Sequence, residues 1–96
     1  MPNNPNSPRY IPLTQHGLDG TVLLLDSQAP LKDLHACVDL RVRLATEFLD
    51  AVSSGKSGSA DDYDLSAMAG TAHLLMQEAC DVSRVIEQRL WEANPA

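Results

Sequence analysis

Apolar residues recur along two long stretches of the chain at alternating steps of three and four. The first runs through Leu31, Leu34, Val38, Arg41, Ala45, Phe48 and Val52, the second through Leu65, Met68, Ala72, Leu75, Ala79, Val82 and Ile86. Such steps hold side chains on one narrow face of an α-helix, the geometry of a seam that lies along another helix. The spacing predicts helices over 30–53 and 61–92. Residues 54–60 between them are a Gly/Ser linker, flexible by composition and short enough to turn the second helix back antiparallel to the first. Ala72 and Ala79, a heptad apart on the seam, allow a neighbouring backbone to come close.

The first helix is apolar well beyond its seam. Its polar positions, Lys32, His35, Asp39, Arg43, Thr46, Glu47 and Asp50, occupy less than half the circumference. With Leu40, Val42, Leu44 and Leu49 added, the apolar arc is about 200° wide, against the roughly 100° stripe of a surface helix. One partner helix cannot cover it. In the second helix, Ala67, Leu74 and Val85 form a second, weaker stripe. Both observations predict that a β element covers one flank and that self-association covers the remainder.

Ahead of the helices the pattern changes. Residues 1–9 carry three prolines and three asparagines and nothing to bury, which predicts a disordered tail. Residues 10–93 then form a single domain that begins with a β element over 10–25. Tyr10-Ile11-Pro12-Leu13 is interrupted by proline and suits an edge strand. His16-Gly17-Leu18-Asp19-Gly20 supplies turn chemistry. Thr21 to Leu25 is a five-residue strand without a polar face, whose open edge invites a second copy. Pro30 suits the first turn of a helix and Asp33 the positive end of its dipole. Ser59, Asp61 or Asp62 caps the second helix, and Asn94-Pro95 ends it. The fold class expected is mainly α: an antiparallel two-helix hairpin preceded by a short β-strand or hairpin, dimerising into a four-helix bundle.

Size makes the dimer more pressing. A chain of 96 residues buries only about 60% of its unfolded surface and is marginal alone. Disulfides are a poor supplement: Cys37 and Cys80 both fall in helical patterns, where a buried thiol is ordinary, and two cysteines are too few for a secreted framework. No apolar signal segment opens the chain and no run approaches the roughly 18 apolar residues of a membrane span. A cytoplasmic setting without a membrane partner is expected. Thirteen acidic against seven basic residues give a formal charge of −6. That opposes nucleic-acid binding, which needs a cationic footprint, and is compatible with a basic protein partner or, more commonly, merely with staying soluble.

The residue types that carry chemistry do not converge. His35 and Cys37 are about 200° apart around a helix, and His73 and Cys80 about 10 Å apart along one, so no metal is expected. Nothing near Cys37 orients a base. Asp61, Asp62 and Asp64 at a helix start read as capping carboxylates rather than a catalytic group, and the linker glycines lack the strand and GK[ST] of a phosphate loop. No enzyme signature and no cofactor are found. Arg41 alone breaks its own pattern, on the seam where leucine is expected. Its stem can pack while its head pairs with Glu78 or Asp81 from the second helix; the functional alternative is contact with an anion or a partner's carboxylate. Trp91, on the side of His73 and Arg84, has the composition of an interface anchor, or equally of a cover for its own chain's hairpin.

The order of a proline-rich start, Leu23-Leu24-Leu25, Pro30-Leu31-x-x-Leu34-His35-Ala36 and an alanine-rich helix with His73-Leu74-Leu75-Met76 resembles the small uncharacterised domain-of-unknown-function proteins abundant in pseudomonads. The resemblance spans residues 20–90, rests on layout, and implies a strand followed by two helices; it implies no activity. The function expected from the residues is that of a non-catalytic interaction or regulatory protein acting through apolar helix faces and an acidic surface. One alternative is an antitoxin, immunity or phage-type inhibitor that masks a basic site with Asp61, Asp62, Asp64, Asp81 and Glu87. Another is a binder of a small anion beside Arg41.

Overall fold

The seam pattern forms two long helices. The computed structural model describes residues 8–14, 19–54 and 62–93, with side chains throughout except at 62–64. Helix α1 spans Leu31–Ser53 and helix α2 spans Asp62–Ala93. Leu34, near the start of α1, packs on Val82, Val85 and Ile86 near the end of α2, while Arg41, further along α1, reaches back to Glu78. The helices therefore run antiparallel. The tail before Pro8, the turn residues His16, Gly17 and Leu18, the linker beyond Ser54, Ser59, Asp61 and Asn94-Pro95 lie outside the described residues.

Local chemistry fixes both ends of α1. Pro30 stands one place before the first turn, with φ −54° and ψ 138°, and its carbonyl accepts the N–H groups of Asp33 at 2.9 Å and Leu34 at 3.0 Å. No side chain caps this end, and Asp33 supplies the favourable charge in the first turn. At the other end Ser54 donates its N–H to the Asp50 carbonyl at 3.0 Å. The hydroxyls of Ser53 and Ser54 donate to the carbonyls of Asp50 and Ala51, satisfying acceptors that the finished helix leaves over.

Strands β1 (Tyr10–Pro12) and β2 (Leu24–Asp26) pair antiparallel ahead of the helices, with Tyr10 opposite Asp26, Ile11 opposite Leu25 and Pro12 opposite Leu24. The second strand is shorter and later than the five-residue run Thr21–Leu25 suggests, because pairing begins from Arg9 and ends near a proline that cannot donate. Beyond the ladder, the Leu13 N–H continues the pairing to the Leu23 carbonyl at 3.2 Å. Arg9, which composition assigns to the tail, is tied down. Its guanidinium donates twice to the Asp26 carboxylate, at 3.0 and 3.1 Å, and its carbonyl accepts from the Ser27 N–H and hydroxyl. The guanidinium beside it holds the Asp26 carboxyl below the usual carboxylate range.

Period-two alternation turns Ile11 and Leu25 toward the helices and leaves Tyr10, Pro12 and Leu24 exposed. The core lies where hairpin and helices meet: Leu34, Val82, Val85 and Ile86, with Ile11, Leu25, Ala29, Leu31, Cys37 and Val38 packed around them. Val85, placed by spacing on the weaker stripe of α2, is buried because the β-hairpin covers that flank. Further along the helices the buried contacts are small, Ala45, Ala72 and Ala79, which is what lets two backbones approach closely.

Candidate interaction surface

The seam residues fall into three groups. Leu34, Ala45, Ala72, Ala79, Val82 and Ile86 are buried. Leu31, Val38, Arg41, Phe48, Met68 and Leu75 are half-buried, and Leu65 is exposed. Trp91 is 69% exposed and does not cover its own hairpin.

Arg41 is held within the protein. Its Nε donates to Glu78 Oε1 at 2.8 Å, and its Nη1 lies 3.1 Å from Cys37 Sγ. The bond to Glu78 is the main cause of an arginine pKa raised above its ordinary value, against a smaller opposing effect of burial. An incoming anion would have to displace a carboxylate already in place, so the contact is a cross-helix tie. Of the two partners the spacing offers, α2 uses Glu78.

Asp81 does something else, and spacing gave no hint of it. The residue is 6% exposed. Its Oδ2 accepts the Thr14 backbone N–H at 2.8 Å and its Oδ1 the Thr14 hydroxyl at 2.7 Å. Arg84 Nη1 adds a contact at 2.9 Å and Gln77 Nε2 one at 3.4 Å. Burial pushes this carboxyl up, but the donors from Thr14, Gln77 and Arg84 outweigh it and hold it below the usual range. One helix residue thus satisfies the chain leaving β1. A second tie closes the other end of the β element, where Arg89 Nη1 donates to the Ala29 carbonyl and sits 3.5 Å from that of Ser27. Engaged in this way, Asp81 is removed from the acidic face that spacing grouped with Asp61, Asp62, Asp64 and Glu87. Glu87 is exposed, whereas Asp61 and the side chains of Asp62 and Asp64 lie outside the described residues.

What remains is apolar and uncovered. Large hydrophobic residues stay exposed on both helices: Leu40, Val42, Leu44 and Leu49 on α1, and Leu65, Leu74, Met76, Leu90 and Trp91 on α2. At about 100° per residue they separate into two sides of the helix pair. Leu40, Leu44 and Leu74 share the side of Val85 and the β-hairpin. Val42, Leu49, Leu65, Met76 and Leu90 share the opposite side, since Met76 lies about half a turn round α2 from Val85. Against these, the large side chains buried among the described residues are only Leu34, Val82, Val85 and Ile86.

Among the described residues no group of three or more His, Cys, Asp or Glu side chains is placed to hold a metal ion. Cys37 is half-buried and Cys80 exposed, and neither is in a disulfide. No described helix is long and apolar enough to cross a membrane.

Comparison with family models, with curated proteins and with solved structures returns no match. The resemblance in layout to pseudomonad domains of unknown function therefore adds no functional argument, and the surface itself has to carry one.

Proposed function

We propose that the protein is a small non-catalytic interaction protein of the cytoplasm that works through its apolar helix faces and whose first partner is a second copy, the two helix pairs forming a four-helix bundle. The observation that carries this reading is the imbalance of its surface. The large side chains buried among the described residues are few, Leu34, Val82, Val85 and Ile86, while Val42, Leu49, Leu65, Met76 and Leu90 lie half-exposed on one continuous side. Contiguous apolar area of this kind marks a contact surface in a soluble chain. Covering the exposed part of each side chain stabilises by about 1 kcal/mol, or roughly 10 kcal/mol over two copies. That is of the order of the roughly 4–15 kcal/mol that association costs, so the expected complex is one that dilution can dissociate.

The side chains best suited to chemistry support a structural role. Arg41, Asp81 and Arg89 are each engaged in ties between elements. The test is the concentration dependence of thermal unfolding. A chain whose folding is coupled to dimerisation gains several degrees in Tm over a hundredfold rise in concentration. A Tm that does not move over that range counts against the reading.

A further inference from the structure

The two sides of the helix pair differ in one respect that names the partner for one of them. The β-hairpin occupies the side of Val85 and Asp81, tied there through Thr14. On the opposite side no described element packs. That open side is centred. Helix α1 runs over Leu31–Ser53 and α2 over Asp62–Ala93, so Val42 and Met76 both lie at the middle of their helices. Leu65 and Leu90 stand near the two ends of α2, 11 and 14 residues from Met76, so the midpoint between them falls just beyond Met76. A surface laid out symmetrically about its own midpoint is self-complementary under a two-fold rotation, which is the requirement for a closed contact between identical chains.

Resting on the dimer reading above, we infer that the apolar side facing away from the β-hairpin is an isologous contact with a second copy of this chain, in which α2 lies antiparallel on the partner's α2 with the two-fold axis beside Met76. The axis crosses α2 level with Gln77 and Glu78, about 2 Å beyond Met76, so that Leu65 of each copy meets Leu90 of the other. Area agrees with that occupant. Helix α1, with 23 residues, is about 35 Å long, and two helices side by side are about 20 Å wide. The footprint is roughly 700 Å² per copy, close to the roughly 800 Å² each partner buries in a stable complex. The residues around the axis also suit close approach. Ala69, Ala72 and Ser83 are small, and within two turns of Met76 helix α2 carries no carboxylate or lysine on this face; Glu87, three turns along α2, and Asp39 of α1 are the charges at its margin.

The test is a symmetric cross-link in the full chain. With Cys37→Ser and Cys80→Ser as background, Met76→Cys is oxidised and resolved on a non-reducing gel, beside Leu40→Cys as the control on the hairpin side. Helices about 9 Å apart, with position 76 about 2 Å from the axis along each helix, bring the two Cα atoms to roughly 6 Å, within the 4.4–6.8 Å range a disulfide spans. Complete conversion of Met76→Cys to a covalent dimer, with Leu40→Cys unlinked, is the expected result. A dimeric mass with Met76→Cys unlinked overturns this contact and leaves dimerisation standing; a monomeric wild-type chain overturns both. Met76→Glu in the native sequence gives a second readout that needs no cysteine background. It is expected to yield a helical monomer, and a helical dimer would overturn the inference.

Discussion

Replacing Asp81 with alanine removes the acceptor that holds the β-hairpin to α2. Two of its hydrogen bonds run to Thr14, one to the backbone N–H at 2.8 Å and one to the hydroxyl at 2.7 Å, in a site where the carboxylate is only 6% exposed. Hydrogen bonds to a charged group are worth about 1.5–3 kcal/mol each. The Arg84 contact is discounted, because that side chain is 66% exposed and screened by solvent. Thr14 recovers part of the loss by bonding to water once the hairpin lifts. The net cost of Asp81→Ala is therefore about 2–4 kcal/mol, a large share of the roughly 5–10 kcal/mol available to a chain of this size. Urea denaturation at fixed protein concentration measures it, with hydrogen exchange at the Thr14 amide as the local reading. The amide should lose protection by at least the factor that matches the global loss. An Asp81→Ala midpoint within error of wild type, with Thr14 still protected, would refute the assignment of Asp81 as the anchor.

The same carboxylate sets a pH dependence. Its folded pKa lies below the ordinary value, so its contribution is complete above the unfolded pKa of about 3.9 and is lost as pH falls through the folded value. Stability should be insensitive to Asp81 between pH 5 and 8 and fall in acid, with the acid limb flattened in Asp81→Asn. Arg41→Ala should cost about 1 kcal/mol, and a double-mutant cycle with Glu78→Ala should show a coupling of roughly 0.5–1 kcal/mol, since both side chains are less than a third exposed. Arg89→Ala should destabilise by about 1 kcal/mol through the connection before α1, read as lost exchange protection at Asp33 and Leu34, whose N–H groups bond to Pro30. Trp91→Ala should change stability by less than about 0.5 kcal/mol because the ring is exposed; wild-type tryptophan emission should be that of an indole in water.

The helical part of this architecture was legible because its cause is local. Alternating steps of three and four identify Leu34, Ala45, Ala72, Ala79, Val82 and Ile86 as inward-facing, and all six are buried. The same arithmetic narrowed the partner of Arg41 to Glu78 or Asp81, and the packed helices select Glu78. What lay beyond spacing depends on the β-hairpin, whose docking is set by contacts far apart in sequence. Asp81 meets Thr14 across 67 positions, and nothing near either residue marks them as partners. An acid beside the seam residue Val82 reads as surface until the hairpin is in place, and Val85 reads as a minor stripe for the same reason. Pairing of Arg9 with Asp26 likewise carried the end of the strand one residue on, to Asp26, and drew in a position that composition alone assigns to the tail.

The wide apolar arc of α1 and the open side of α2 rest on the same physical demand, that such area be covered. Light scattering over a dilution series from high to low micromolar tests that demand most directly. Twice the chain mass is expected at the concentrated end, falling toward the single-chain mass on dilution. A single-chain mass at every concentration would contradict it and leave Val42, Leu49, Leu65, Met76 and Leu90 facing water.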